Sequence, residues 1–471
     1  MHMVKLVDSI AAVPTTRLNL SDGTIWRVTS FDAPPPRLRR SMSQNAMTDG
    51  GFVSSSQYEM RTLTIGLVLN QSTQDANATQ LQTLARELDR ETNYLMYQPV
   101  GATKPVFFRT VRSDFTAIRE MPVHATGVAM RGIEVEILAE PFALGLKETL
   151  GPYTVNNDPA AGSNGCYFDV TGVIGDVAAP AVLVDSSRTV STGVVATRSQ
   201  GTPSDMIWFT QAESSTVTNV IPDTSNPGGG PDAVMSGTGT NNFRRTTFAT
   251  SAALVSRLAW DPGSGATDAQ LRANRGRYRV FAVVRRSDNS SAMTVQFSSL
   301  TGSGPVTTLP LTTSRILLEL GIHSHNFDSP STVGYSSIEN PVDNRSSPTF
   351  LTFSAGRSSG AGTLDWDLLM MVPADEAMLI WNLGNYTNRD TIIDGYRESV
   401  SSFEDGADPF AGSASILQAG TMSGGFPALT PAVTNRVFYF QSASPVMTKT
   451  DTSSVTAHYW PRYLYVRPSA T

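Results

Sequence analysis

The sequence predicts a mainly β protein with one small α+β unit near its N-terminus. The first observation is the alternation of apolar and polar residues at 61–69 and 132–138, which is typical of strands with one buried face. The second is a single convincing helical pattern at 75–90. The third is a long series of short β-type segments, separated by Gly, Ser, Asn and Pro, over the rest of the chain. We therefore expect an N-terminal antiparallel sheet or split barrel with one helix, followed by β-sandwiches.

The N-terminal unit is predicted element by element. Strands are expected at 61–69, 94–98, 106–112 and 132–138, and residues 18–31 are expected to form a hairpin around Ser21, Asp22 and Gly23. Asp75 is expected to cap the first turn of the helix, whose apolar residues recur at three- and four-residue spacing. That apolar stripe consists of Ala78, Leu81, Leu84, Ala85 and Leu88.

Length and composition limit the function classes. A chain of 471 residues is too long for one core and is expected to form two or three domains. A net charge of −6 argues against a general nucleic-acid binder, which needs a basic surface. The single cysteine, Cys166, excludes an intrachain disulfide framework and is expected to be a small buried apolar residue. The N-terminus lacks the apolar core of a signal peptide and no segment fits a bilayer span, so we expect synthesis and folding in cytosol, without membrane insertion.

Residues 32–56 differ from their surroundings and are expected to form a long loop or arm. The segment begins with three prolines, continues with Arg37, Arg39 and Arg40, and ends in a Gly- and Ser-rich stretch. It cannot build a core of its own. Two interpretations stay open: the three arginines grip an acidic surface of a partner, or they belong to a solvated arm.

The pattern of β segments predicts three domains. A Gly-, Pro- and Asn-rich stretch at 151–164 marks the end of the first domain, which covers 1–150. Short β segments at about 190–381 have the spacing of a jelly-roll sandwich. The later β segments are too few to stand alone and are expected to pair with 166–184. We therefore expect a discontinuous β-sandwich, 151–188 with 385–471, into which the sandwich of 189–384 is inserted.

One motif resembles a catalytic signature. Gly356, Ser358 and Gly360 match the Gly-x-Ser-x-Gly elbow of serine hydrolases, in which the serine must lie between a strand and a helix. Here the motif is followed by Ala-Gly-Thr and another β segment, so a turn is expected. We predict no catalytic residue and therefore no enzyme.

Two groups of residues have the chemistry of a metal site, but neither has a complete ligand set. His323 and His325, with Asp328 nearby, lack a distant further ligand, and a hydroxyl-rich surface strand or loop explains them equally well. Asp365 and Asp367 lie on one face of a predicted strand. Their carboxylates could bind a structural calcium ion, contact a sugar hydroxyl or simply be exposed to solvent. Exposure is the favoured one. We predict no metal and no cofactor.

Two further groups are candidates for binding at the cell surface. An arginine-rich segment could meet anionic polymers, although a solvated outer sheet face explains it better. It contains Arg272, Arg275, Arg277, Arg279, Arg285 and Arg286. Trp208, Trp260 and Trp381 are candidates for stacking on sugar rings, and burial in a core is the alternative reading.

The order of these segments resembles a known family. Two strands, a long arm, a strand, a single helix and an alternating strand that ends at Glu140-Pro141-Phe142 resemble the N-terminal domain of distal tail proteins of phages with long non-contractile tails. The segments 168–173 and 175–182 look like the start of the galectin-like second domain of that family, and 425–431 with 435–440 resembles a late element of it. Segments 276–285 and 364–373 are similar to carbohydrate-binding jelly-rolls that some of these proteins carry.

The resemblance implies a structural role without catalysis. It implies a homohexameric ring of the virion tail tip that joins the tail tube protein to the tail hub or baseplate, beside the tape measure protein. The inserted jelly-roll would contact a host-surface polysaccharide, and Arg37, Arg39 and Arg40 would belong to an inter-subunit arm. The alternative is a monomeric carbohydrate-binding or adsorption protein that has no ring role.

Overall fold

The computed structural model describes residues 2–44, 51–91, 93–120, 129–156, 167–187, 190–200, 208–211, 220–222, 229–231, 242–260, 276–299, 302–313, 316–325, 351–374, 378–383, 389–404, 410, 416–419, 421–443 and 452–466. The chain forms two compact units. Unit 1 contains Met1–Glu148, Val173–Ala179 and Tyr459–Thr471, and unit 2 contains Thr149–Gly172 and Pro180–His458. The predicted fold class, mainly β with one α+β unit, is confirmed.

The described residues of the N-terminal part of the chain form one helix and ten strands. These are β1 Met3–Val7, β2 Thr16–Asn19, β3 Trp26–Asp32, β4 Leu38–Gln44, β5 Gly51–Tyr58, β6 Arg61–Gln71, α1 Gln74–Leu88, β7 Tyr94–Gln98, β8 Val106–Glu120, β9 Ala129–Ala139 and β10 Ala143–Leu144.

The rest of the chain is β throughout its described part. Its strands are β11 Glu148–Asn156, β12 Tyr167–Val170, β13 Ala179–Pro180, β14 Val182–Asp185, β15 Val190–Gln200, β16 Trp208–Gln211, β17 Val220–Pro222, β18 Gly229–Pro231, β19 Asn242–Phe248, β20 Ala252–Trp260, β21 Gly276–Arg286, β22 Met293–Ser299, β23 Gly302–Ser303, β24 Thr307–Thr308, β25 Ile316–His325, β26 Leu351–Arg357, β27 Gly362–Pro373, β28 Met378–Asn382, β29 Arg389–Asp394, β30 Ser399–Glu404, β31 Ile416–Ala419, β32 Thr421–Gly424, β33 Ala428–Leu429, β34 Thr434–Ala443, β35 Thr452–Tyr459 and β36 Arg462–Tyr463.

Unit 1 is built on an open antiparallel sheet in the order β2-β1-β7-β8-β9-β6-β3, to which β10 and β36 add at one side. On β6 and β9 the residues that alternate toward the core, such as Leu63, Ile65, Val135 and Ile137, are almost fully buried. Leu84 on α1 packs into the same core. Two-residue periodicity in the strands and the apolar stripe of the helix thus produce one sheet with a helix on one face.

Two predicted details of unit 1 are wrong. Thr73 caps the helix instead of Asp75, because the Thr73 side chain accepts a hydrogen bond of 3.2 Å from the Ala76 amide. The Asp22 turn forms, and its carboxylate accepts from the amides of Thr24 and Ile25 at 2.7 and 2.8 Å. However, the strands that flank it do not pair as a hairpin. β2 pairs with β1 and β3 pairs with β6, so they lie at opposite ends of the sheet.

Unit 2 contains four large sheets. Their orders are β11-β35-β14-β29-β30-β31, β12-β34-β15-β28-β32, β18-β19-β27-β21-β25 with β16 on β27, and β17-β20-β26-β22-β23 with β24 on β22. β14 lies between β29 and β35, so strands from both sides of the predicted insertion pair with one another. β15 and β28 also join the second of these sheets, although both lie inside the expected insertion of 189–384. The domain boundaries themselves stay a prediction.

The strand β21 is buried on both faces. Tyr278, Val280 and Ala282 pack into the core against the sheet of β20, β22 and β26. Phe281 and Val283 point the other way and pack against β15 and β34. A strand covered on both sides must be apolar at consecutive positions, which explains the uninterrupted run at 280–284. The sandwich formed by β16–β27 therefore shares a continuous apolar contact with the neighbouring sheet of unit 2.

Candidate interaction surface of unit 1

The segment predicted as a loop or arm is a β-hairpin. β4 and β5 pair from Leu38 with Tyr58 to Gln44 with Gly51, and they form a separate two-stranded sheet in the described part of the chain. We refer to this hairpin as the arm. Of the two alternatives, a long loop or an arm, the described strands form an arm, and the pairing of its two strands was not predicted. A two-stranded sheet is marginally stable in water by itself, so the arm is a segment that gains stability from a covering surface.

The predicted arm residues Arg37, Arg39 and Arg40 lie at the base of the arm and are exposed. The Arg39 guanidinium lies 3.9 Å from the Glu59 carboxylate, and both side chains are well solvated. An exposed ion pair at this distance contributes about 0–1 kcal/mol. The structure therefore places positive charge on the surface of the arm without a strong intramolecular partner for Arg39. Their contact with another subunit stays a proposal.

A groove of about 520 Å³ lies at the base of the arm. The ring of Tyr58 meets that of Phe142 edge-on, with centroids 5.2 Å apart, and Arg462 covers the Phe142 ring at 5.0 Å. The groove is lined by Arg39, Gln57, Tyr58, Glu59, Met60, Glu140, Pro141, Phe142 and Arg462. Aromatic contacts thus fix the arm base to the strand ends of unit 1.

Arg61 joins three parts of unit 1 beside this groove. Its side chain is buried, and it donates to the carbonyls of Pro141, Tyr463 and Leu464, with Nε–O 2.6 Å for Pro141. Its guanidinium also lies 5.3 Å from the centre of the Phe108 ring. Burial lowers the pKa of Arg61 to about 10, because the charged form loses its hydration. The residue ties β6 to the C-terminal segment of the unit.

The strand β8 has a free edge over residues 111–120. On one side β8 pairs with β9 from Thr110 to Glu120, whereas on the other side β7 pairs only with Val106 to Arg109. No other described strand pairs with 111–120 there. Three apolar residues are exposed along this part: Val111 at 52%, Phe115 at 37% and Ile118 at 53%. An edge with free backbone groups and apolar side chains is a site for pairing with another strand.

Carboxylates collect on the solvent face beside that edge. Asp114 on β8 lies directly opposite Glu136 on β9, and Glu134 is the next residue outward. Arg112 compensates Asp114 through a contact of 3.0 Å, but both side chains are exposed. Like charges directly opposite each other on a sheet are unfavourable. The sheet face beside the free edge thus favours a positively charged neighbour.

Sequence reasoning missed this edge because it ended the strand at 112. A bulge lies between Thr110 and Arg112 and another between Phe115 and Ala117. Each bulge shifts the side-chain alternation by one residue, so Phe115 and Ile118 do not fit a two-residue period. A sequence pattern that allows one inserted residue at each of the two bulges would extend the predicted strand to Ile118.

Two of the three tryptophans proposed as stacking platforms are core residues. Trp260 and Trp381 are each 1% exposed, so neither offers a ring face to a sugar. Both side chains are buried in a core, which was the alternative interpretation. Trp208 is the first residue of β16 and pairs with Met371; its side chain lies outside the described part of the structure.

The serine motif lies in a turn between two strands. β26 ends at Arg357 and β27 begins at Gly362, so Ser358 is followed by no helix. Arg357 is buried and organises the turn by donating to the carbonyls of Ser359 and Gly360 at 2.8 and 2.9 Å. The structural context that a nucleophile elbow requires is therefore missing.

The histidine pair lies on β25, but the described ring is not on the surface. His323 is 1% exposed, lies 3.1 Å from the Ser299 hydroxyl through Nδ1, and packs edge-on against Phe297. The reading of a hydroxyl-rich surface strand is wrong for this residue. Asp328 and the side chain of His325 lie outside the described residues. Among those that are described, no group of three His, Cys, Asp or Glu side chains could hold a metal ion.

Asp365 is buried, which contradicts the favoured expectation of exposure. Arg245 binds it with two hydrogen bonds of 2.7 and 3.0 Å, and Arg285 donates a further bond of 2.9 Å. Two guanidinium groups compensate the buried carboxylate. Asp365 is therefore part of a structural ion-pair cluster with Arg245 and Arg285. The Asp367 side chain lies outside the described residues.

The arginine-rich segment is not one solvated face. Arg277 is exposed and Arg279 is half-buried, with its Nε 3.5 Å from Glu319. Arg285 binds Asp365, and Arg286 is buried. Phe281, which lies between these arginines in the sequence, is covered by the neighbouring sheet. Arg272, Arg275 and Cys166 lie outside the described part of the chain.

Comparisons with known proteins give structural neighbours only. No family model matches the chain, and no curated protein matches it. Among solved structures it is similar to the Dit protein of phage SPP1, described as a paradigm of the hub adsorption apparatus in phages that infect Gram-positive bacteria. That similarity has 9% identity and a TM-score of 0.36, and covers 98% of this chain and 99% of the other.

The chain is also similar to the phage p2 baseplate in its activated conformation, solved with strontium and with calcium. The strontium structure gives 9% identity, a TM-score of 0.23 and coverage of 80% of this chain and 99% of the other. The calcium structure gives 8% identity, a TM-score of 0.24 and coverage of 78% and 98%. At such TM-scores the likeness assigns no role to any residue.

Proposed function

We propose that this chain is a structural virion protein of a phage tail tip, a distal tail protein without catalytic activity. Unit 1 forms a homohexameric ring that joins the tail tube protein to the tail hub or baseplate, next to the tape measure protein. The chain is made in the host cytoplasm and acts in the particle.

One observation carries the proposal: unit 1 combines a free two-stranded arm with a sheet that keeps an open edge. Among the described residues, β4 and β5 pair only with each other, so the outer backbone edges of the arm are available to another chain. A subunit that binds identical neighbours uses such an arm and such an edge together, because a head-to-tail contact repeats and closes into a ring. The segment order that resembles distal tail proteins supports the same role.

The test is the mass and shape of the full chain in solution. Light scattering and electron micrographs of one chromatographic peak are expected to give six copies and a six-fold ring with an open centre. A compact monomer at every concentration tested would contradict the ring in solution, and a monomeric adsorption protein would then be the leading function.

The inserted sandwich is proposed to contact a host-surface polysaccharide. Support for this part comes from the resemblance of its strands to carbohydrate-binding jelly-rolls, while buried Trp260 and Trp381 take no part in such contact. Trp208 is the remaining aromatic candidate. Sedimentation of the full chain with host cell-wall polysaccharide checks the proposal, and loss of binding in Trp208→Ala but not in a conservative surface variant such as Arg277→Lys would support it.

A further inference from the structure

We propose that a row of charged side chains in the inserted sandwich binds an anionic group, a phosphate or a carboxylate, of a host-surface polysaccharide. The row consists of Arg245 on β19, Asp365 on β27 and Arg285 on β21, and we refer to it as the arginine ladder. This inference rests on the proposed polysaccharide contact and adds to it a site and the charge of the ligand.

Strand register places the three side chains of the ladder side by side. Arg245 lies directly opposite Asp365 on one neighbouring strand, and Arg285 lies directly opposite Asp365 on the other. Side chains of directly opposite residues in an antiparallel pair lie on the same face of the sheet. Both guanidinium groups are therefore on one face, on either side of a single carboxylate.

The Asp365 carboxylate holds the two guanidinium groups in fixed positions. It is 1% exposed, and its Oδ2 atom accepts hydrogen bonds from Nη2 of Arg245 at 3.0 Å and from Nη2 of Arg285 at 2.9 Å. Nε of Arg245 donates to Oδ1 at 2.7 Å, so this contact is bidentate. Because both Nη2 atoms contact one oxygen, the two guanidinium groups are close enough for one phosphate or carboxylate group to reach both. A site ordered in advance loses less conformational entropy when the ligand binds.

The ladder presents positive charge at the surface. The side chains of Arg245 and Arg285 are 37% and 25% exposed, whereas that of Asp365 is 2% exposed. Each guanidinium has five N–H groups and directs two of them at Asp365. Two guanidinium groups and one carboxylate together carry one net positive charge. A planar guanidinium matches the paired oxygens of a phosphate or a carboxylate, which makes an anionic ligand the suitable one.

Hydroxyl groups lie beside the ladder, two residues further along the same three strands. Thr247 on β19 lies directly opposite Thr363 on β27. The Thr363 amide donates a hydrogen bond of 2.8 Å to the hydroxyl of Ser287, which follows β21. Thr247 and Ser287 are exposed. Since a hydroxyl can both donate and accept, this second row suits the hydroxyl groups of a sugar or polyol that carries the anionic group.

The first test measures binding of the full chain to three defined polymers by biolayer interferometry. The polymers are poly(glycerol phosphate), polygalacturonate and neutral dextran. We expect binding to at least one of the two anionic polymers, weakened by added salt, and no binding to dextran. The anionic polymer that binds identifies the group as phosphate or carboxylate. Binding to neither of them, or equal binding to dextran, would overturn the inference.

Two matched glutamate substitutions test the position of the site. Thr247→Glu places a negative charge beside the ladder and leaves its three residues in place. Thr308→Glu places the same charge on an exposed residue of β24, which belongs to the other sheet of the sandwich. We expect Thr247→Glu to weaken binding of the anionic polymer roughly 10-fold by charge repulsion. Thr308→Glu is expected to bind like the unaltered chain.

Arg245→Gln tests the ladder directly. We expect it to weaken binding roughly 10-fold to 100-fold, because charge-assisted hydrogen bonds to the anion are lost. Its melting curve shows whether the sandwich still folds, and Thr247→Glu provides the test if it does not. Equal binding by Thr247→Glu and Thr308→Glu would overturn the ladder as the site.

Host cell-wall polysaccharide separates this inference from the proposed function. If the unaltered chain and Thr247→Glu bind that polysaccharide equally well, the inserted sandwich contacts it elsewhere and the ladder takes no part. If the unaltered chain binds neither this polysaccharide nor the defined polymers, the proposed polysaccharide contact itself is contradicted.

Discussion

Asp185 is a carboxylate buried within unit 2, at 1% exposure. The Tyr439 hydroxyl donates to it at 2.7 Å and the Ser453 hydroxyl at 2.6 Å. Burial raises the pKa of Asp185 above its ordinary value of 3.8, although these hydrogen bonds act in the opposite direction. Asp185 is therefore a structural hydrogen-bond acceptor whose ionised form destabilises the folded state. Its contribution to stability consequently depends on pH.

The pH dependence of stability has a definite sign here. The folded chain holds the Asp185 proton more tightly than the unfolded chain, so this residue's contribution is fully present below pH 3.8. It is lost as the pH rises through the folded-state pKa. We expect Asp185→Asn to make the free energy of unfolding less dependent on pH in the range above pH 3.8. Denaturant titrations at several pH values measure it, with exposed Asp32→Asn as control. An unchanged slope would contradict the prediction.

Arg61 gives a second prediction at the residue scale. A lysine keeps the positive charge but cannot reach the carbonyls of Pro141, Tyr463 and Leu464 together. We expect Arg61→Lys to lower the free energy of unfolding by about 1–3 kcal/mol, since buried carbonyls lose their donors. Urea unfolding measures this change. Exposed Arg119→Lys serves as the matched control and is expected to stay near the value of the unaltered chain.

At the level of single elements, the sequence predicted strands well where the period was unbroken. β7 has the predicted bounds Tyr94–Gln98, and β9 extends the predicted 132–138 by a few residues. β8 was cut short because bulges break its alternation, and the pairing of β4 with β5 within the predicted arm was not foreseen because this Ser- and Arg-rich segment has no two-residue apolar period. Pairing was harder than strand location, since β2 and β3 are close in sequence but bind different neighbours.

The helix cap is a prediction at this scale. Thr73 satisfies the Ala76 amide, which has no partner inside the helix. We expect Thr73→Ala to lower the free energy of unfolding by about 1 kcal/mol. Ser72→Ala, at the exposed residue just before the cap, is expected to have little effect. Equal effects of the two substitutions in urea titrations would show that the cap does not stabilise the helix.

The candidate surface could be predicted only in part. Arg37, Arg39 and Arg40 were singled out by their charge and are exposed, and their contact with another subunit stays a prediction. The free edge of β8 could not be foreseen, because a free edge depends on where the neighbouring strand β7 ends in space. For a similar reason, the sequence could not predict which tryptophans are exposed. Composition does not distinguish a surface ring from a buried one, and Trp260 and Trp381 are buried.

At the scale of the molecule, unit 2 joins two sandwiches through a shared apolar layer. Phe281 and Met370 from one sheet pack against Val194 and Phe440 from the next. We expect the two sandwiches to unfold together, and Phe281→Ala to separate their transitions and cost about 3–5 kcal/mol. Calorimetry of the full chain measures this. If the unaltered chain already shows separate transitions for the two sandwiches, the layer does not couple them.

The return of the chain to unit 1 near its C-terminus has a consequence for synthesis. β36 pairs with β10, and Arg61 binds the carbonyls of Tyr463 and Leu464, which lie 402 and 403 positions later in the chain, so the first unit is completed by residues that the ribosome adds near the end of unit 2. A nascent chain can fold its early strands as they emerge, but the carbonyls that Arg61 needs do not yet exist. A polypeptide released before residues 462–464 are added therefore carries an unfinished N-terminal unit.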